Sequence, residues 1–108
     1  MMNMNRIVAA LVGALNSPTR PPALWPLALV KYPSRELQPR LLPGGSISVR
    51  LALYGWEYKH RGPRPKTPPE LNLAAIQAVL SAALPDGIAV AALENYGIYI
   101  LLKMEESL

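Results

Sequence analysis

One histidine, no cysteine and seven scattered acids are all that this 108-residue chain offers to acid–base, nucleophilic or metal chemistry. His60 stands between Lys59 and Arg61, where it reads as an exposed member of a basic loop rather than a general base. A histidine-based metal site cannot be built from one such residue. The missing cysteine removes disulfides, thiolate ligands and cysteine nucleophiles together. Glu36, Glu57, Glu70, Asp86 and Glu94 show no metal-ligand spacing. Pro43-Gly44-Gly45-Ser46 lacks the lysine and the following helix of a phosphate-binding loop. The reading is therefore of a protein that is not a hydrolase, nuclease or metalloenzyme, and no cofactor is expected.

Charge and aromatic side chains carry more. The net charge of +4 hides an asymmetry: ten Lys/Arg and two acids up to Pro69 give +8, and one lysine and five acids from Glu70 onward give −4. Opposed halves suit head-to-tail self-association. The basic half equally suits nucleic acid. The plain alternative is a solvated surface whose charges pair within one molecule. The candidate interaction residues fall in two groups, Trp25, Lys31, Arg35 and Arg40, then Trp56, Tyr58, Lys59, Arg61, Arg64 and Lys66. In the second group, joined by Arg50, bases alternate with aromatics, a pattern able to neutralise phosphate and stack nucleobases. Trp25 is the expected interface anchor, since tryptophan is enriched among residues that dominate binding energy.

The elements that position these residues follow from periodicity. Asn5 can cap a helix over 6–15 whose apolar residues run almost all round it, so it needs burial or a partner. A signal peptide competes for this segment, because Arg6 precedes an apolar run and Val12-Gly13-Ala14 suits cleavage. No run reaches the roughly 20 residues of a membrane span, and no membrane partner is expected. Eleven of twelve prolines lie between Pro18 and Pro69, which excludes continuous helix or central sheet there. Within this region 24–32 can form a short edge strand. The stretch 17–45 reads either as a loop wrapped over the core with Trp25 as anchor or as an intermolecular arm.

Gly44-Gly45 opens the clearest strand, with Ile47, Val49, Leu51 and Leu53 alternating against Ser48, Arg50, Ala52 and Tyr54. The parity switch at Gly55 suggests a bulge before the basic loop 59–66. Thr67-Pro68-Pro69-Glu70 has capping-box form and opens a helix to Leu84, striped by Leu73, Ile76, Leu80 and Leu84 with Val79 and Ala83 beside it. Residues 88–94 fit a strand or a short helix. Asn95-Tyr96-Gly97 favours a hairpin into a last strand, with Ile98, Ile100, Leu102 and Met104 on one face.

These elements predict an α+β fold: two main helices packed on one face of a small, mostly antiparallel sheet, with a long proline-rich arm. The chain reads as a single domain, 1–108, divided into an N-terminal helix (1–16), the arm (17–45) and a strand–helix–hairpin core (46–108). The expected core comprises Leu11, Leu51, Leu53, Leu73, Ile76, Leu80, Ile100 and Leu102.

Over Arg50 to Leu84 the layout resembles that of small Holliday-junction resolvases. That family places a cluster of aspartates at the helix start to hold Mg²⁺. Here the region reads Pro68-Pro69-Glu70-Leu71-Asn72, and one carboxylate cannot clamp the metal. A second resemblance covers most of the chain. The helix Ile7–Leu15, the proline-rich stretch, the strand 47–58, the helix 71–84 and the closing pair 88–104 resemble, in order and length, small tailed-phage proteins of the tail-terminator and head–tail joining kind. The chain departs from larger members by lacking an additional strand–helix segment. The resemblance implies a non-enzymatic virion protomer that assembles into a hexameric ring, in the virion or in host cytoplasm during assembly. Its partners would be further copies and other virion proteins, and nucleic acid remains the alternative partner.

Overall fold

A computed structural model describes residues 3–53 and 71–107. Its elements are α1 (Met4–Asn16), α2 (Pro33–Leu37), β1 (Arg40–Leu41), β2 (Ile47–Ala52), α3 (Leu73–Ala83), β3 (Ile88–Asn95) and β4 (Tyr99–Glu106). The strands form one antiparallel sheet in the order β1-β2-β4-β3. The fold is α+β, as the patterning predicts.

Strand alternation supplies the inner face of the sheet. Register pairs Ile47 with Met104, Val49 with Leu102 and Leu51 with Ile100, and all six side chains are buried. Against them α1 lays Ile7, Leu11 and Leu15, and α3 lays Ile76 and Leu80, in one continuous cluster. Of the expected core, seven residues are buried, and Leu73 is partly buried against the cluster. Ala83 faces solvent rather than the stripe.

Helix starts differ from expectation. Asn3, not Asn5, caps α1, its Oδ1 accepting from Arg6 N at 3.2 Å. Asn72 caps α3, accepting from Ala75 N at 3.1 Å, so Leu71 and Asn72, expected inside a helix opened at Thr67, precede α3, which begins at Leu73. An asparagine oxygen three residues ahead of a free amide satisfies it directly, which decides the boundary in both cases. The Thr67–Glu70 capping box and the Gly55 bulge lie outside the described residues. The hairpin forms where Asn95-Tyr96-Gly97 placed it: Asn95 Oδ1 accepts from Gly97 N at 2.8 Å, and Gly97 takes φ 88°. Ile98 stays in that turn, 41% exposed, and is not a core residue.

The proline-rich stretch lies on the core. Leu24, Leu27, Val30 and Leu37 join the buried cluster, while Trp25, expected as the anchor of a wrapped loop, is 62% exposed. No edge strand spans 24–32; Pro22 opens a 3₁₀ turn (Pro22–Leu24), and only Leu27 bridges to Leu53, with Ala28 N donating to Ala52 O at 2.9 Å. Pro33 likewise falls at the first turn of α2, where its missing N–H costs nothing. The result guards one edge of β2: β1 pairs with 47–48 and the 27–28 segment with 52–53.

The other edge, β3, is blunted by a helix. Ser81 Oγ accepts from Val90 N, and Gln77 Nε2 donates to Val90 O, both at 3.2 Å. Immediately beyond, the register shifts between Val90 and Ala92. A bulge and a polar cover at one edge residue discourage further strand pairing.

Candidate interaction surface

Two polar side chains fasten the stretch that carries the first group of candidates. Asn16, the last residue of α1, brackets Val30: its Oδ1 accepts from Val30 N at 2.8 Å and its Nδ2 donates to Val30 O at 2.7 Å. Arg20 donates through Nη1 to Leu15 O and Leu27 O, both at 2.9 Å, and through Nη2 to Trp25 O at 3.3 Å. Trp25 Nε1 returns a bond to Arg20 O at 3.2 Å. The planar fork of arginine suits such convergent carbonyls. Trp25 is thus held through its backbone and its indole N–H, and its apolar ring is left to solvent.

Lys31 and Arg35 come together on Tyr32, their charged groups 5.5 and 5.3 Å from the ring centroid. Tyr32 is 52% exposed. Glu36 Oε2 accepts from the amides of Lys31 and Tyr32, just ahead of α2, so the carboxylate is occupied there. Arg40 is exposed on β1, opposite Ser48. Among the described residues, no hydrogen bond or ring contact joins Trp25 or Arg40 to the Lys31–Arg35 pair. Trp56, Tyr58, Lys59, Arg61, Arg64 and Lys66 lie outside the described residues.

The outer face of the sheet carries a belt that residue spacing alone did not reveal. Gln38, in the left-handed region at φ 46°, accepts through Oε1 from Arg50 Nη1 at 3.2 Å. The Arg50 guanidinium lies 3.9 Å from the Tyr99 ring centroid. Tyr99 stacks on Tyr96 at 5.1 Å and 18°. The Tyr96 hydroxyl donates to the Glu94 carboxylate, which holds its pKa above the ordinary 10.0 together with the nearby negative charge. Cross-strand register is the signal that could have found the belt: Arg50 and Glu94 both pair with Leu101, so they share a face.

At the end of the sheet where β2 begins, an open groove of about 640 Å³ is lined by Leu41, Gly44, Gly45, Lys103, Glu105 and Glu106 among others. Lys103 Nζ lies 3.7 Å from Glu105 Oε1. Gly44 and Gly45 both take positive φ, 93° and 95°, which makes the turn a flat rim without side chains.

The chain matches no known family model, curated protein or solved structure. Among the described residues, no group of three or more His, Asp or Glu side chains could hold a metal, and no helix is long and apolar enough to cross a membrane.

Proposed function

We propose that this chain is a non-enzymatic assembly protein that works as a homo-oligomer, and that it is a ring-forming protomer of the tail-terminator or head–tail joining kind. One observation carries the reading. Trp25, Leu29, Tyr32 and Leu41 are 62%, 60%, 52% and 68% exposed, on a stretch whose neighbouring leucines are fully buried and whose backbone is pinned by Asn16 and Arg20. A rigid segment that presents large apolar groups loses little freedom when a partner covers it. The opposed charges of the two halves favour a second copy as that partner. Virion or host-cytoplasmic location and other virion partners are part of the same proposal, resting on the likeness of element order.

Nucleic-acid binding is the second reading, favoured by the Lys31–Tyr32–Arg35 cluster. The Tyr99 ring argues against the sheet face as its platform, since Arg50 and Tyr96 already contact it. Sedimentation velocity across micromolar concentrations tests the first reading, which expects mass to rise with concentration. A strict monomer at high micromolar concentration, combined with steeply salt-dependent binding of DNA or RNA, would replace it by the second.

A further inference from the structure

We infer that the Lys31–Tyr32–Arg35 cluster is a site for single-stranded nucleic acid, with Tyr32 under an unpaired base and the two cations on its flanking phosphates; this deepens the second reading above and requires no self-association. Residues 31–50 hold four cations, Lys31, Arg35, Arg40 and Arg50, and one acid, Glu36, so four less one leaves a local charge of +3. The Glu36 carboxylate is already engaged with the amides of Lys31 and Tyr32. Among the described residues, none of the four cations is in an ion pair: Lys31 and Arg35 meet the Tyr32 ring, and Arg50 meets the neutral Gln38 and the Tyr99 ring. The other described acids lie elsewhere. Asp86 precedes β3 and Glu94 lies within it, at the opposite edge of the sheet. Glu105, beside Lys103, and Glu106 end β4, and the row Arg40–Ser48–Lys103 lies between these two and Arg50.

The ring decides the kind of polyanion. Tyr32 is half exposed, and its two cations stand 5.5 and 5.3 Å from the centroid, close to the roughly 6 Å limit of such contacts. Tyr99 is closed by comparison, with Arg50 at 3.9 Å and Tyr96 stacked on it at 5.1 Å. An unpaired base can stack on the Tyr32 ring, whereas a base inside a duplex is already stacked on both sides. Cations fixed beside that ring meet the phosphates next to the stacked base, and the counterions they release favour association. An acidic peptide would satisfy the same cations and leave the ring without a planar partner. The segment is also held in place before any ligand arrives, by Asn16 on Val30 and by Glu36 on the amides of Lys31 and Tyr32, so little freedom is lost on binding.

Fluorescence anisotropy of a labelled oligothymidine, and of the same strand in a duplex, tests this on the full chain over a salt series. Wild type should bind the single strand more tightly than the duplex. Lys31→Gln combined with Arg35→Gln should reduce the slope of log affinity against log salt by about 1.4, two phosphate contacts at about 0.7 each. Tyr32→Ala should weaken single-strand binding roughly tenfold or more with the slope unchanged, and Tyr32→Trp should restore it. All three positions are exposed, and an unchanged Tm checks each fold. If wild type binds and the folded variants keep its affinity and slope, the site is overturned while nucleic-acid binding stands on another part of the chain. If polyglutamate of matched charge competes as well as unlabelled oligothymidine, or Tyr32→Ala alone loses nothing, the ring takes no base and the cluster is a contact for an acidic protein instead. If wild type binds neither strand nor duplex, the second reading falls with the site.

Discussion

Replacing Asn16 by alanine probes the fastening of the proline-rich stretch with the least collateral change. Asn16 is exposed at the end of α1, so no cavity opens in the core. The substitution deletes two hydrogen bonds, at 2.7 and 2.8 Å, and leaves the N–H and C=O of Val30 without their protein partner. Such a bond contributes about 1 kcal/mol net, and a buried polar group left without its partner costs about 1–3 kcal/mol instead. Val30 is only 8% exposed, yet water can reach the Asn16 side, so the lower part of that range applies. Alanine returns a few tenths of a kcal/mol in helix propensity. The expected loss is about 2–3 kcal/mol, or roughly 10–20 °C in Tm for a domain of this size. Urea unfolding followed by circular dichroism measures it. Asn16→Asp is the companion: its carboxylate still accepts from Val30 N but opposes Val30 O, so this variant should regain stability on acidification, when the protonated carboxyl can donate. A loss below about 0.5 kcal/mol for Asn16→Ala would refute the idea that this side chain holds the stretch to the core.

Leu80→Ala should cost about 2–5 kcal/mol, because the side chain is fully buried between α3 and the sheet; an unchanged Tm would take α3's inner face out of the core. Ser81→Ala combined with Gln77→Leu should cost about 1–3 kcal/mol and raise aggregation on storage, since both edge groups of Val90 lose their cover; thioflavin fluorescence and light scattering check the second effect. Tyr96 should titrate above the ordinary tyrosine value, because its hydroxyl donates to the Glu94 carboxylate. Its folded pKa is raised, so its contribution to stability is present below the unfolded value near 10 and is lost as pH rises through the folded one. Glu94→Gln should lower that titration in a phenolate-absorbance measurement, and no change would dissociate the pair.

Much of the scaffold was legible because its signals are periodic. The stripe Ile76, Leu80, Leu84 and the alternation from Ile47 to Leu53 each obey a single spacing rule, and their burial follows it. Asn95-Tyr96-Gly97 was legible for a different reason, since a local side-chain bond and one positive φ define the turn. What periodicity cannot reach is side chain to backbone bonding across the fold. Nothing periodic marks Asn16 or Arg20; Val30 and Leu27, whose backbone groups give them their roles, belong to a segment folded back against them. Gln77 and Ser81 lie off the apolar stripe of α3, and their side chains cover an edge strand. For the candidate surface, composition singled out Trp25, Lys31 and Arg35 one by one; Trp25 is exposed rather than the anchor of a wrapped loop, and Lys31 and Arg35 meet on one ring. Composition gave no hint of Tyr32 between them, because the ring contacts depend on where α2 turns.

The sheet order has a temporal consequence. β4 lies at the centre, between β2 and β3, yet it is the last of the four strands to be synthesised. Ile47 must wait 57 residues for Met104, its partner in register. Until β4 leaves the ribosome, Ile47, Val49 and Leu51 have no neighbouring strand on that side, and α1 has no finished surface to close against. Few native pairings can form early, so folding starts late and then draws in both ends of the sequence at once. Such a chain should respond sharply to anything that delays or removes its last strand, and little to changes in the speed at which its first half is made.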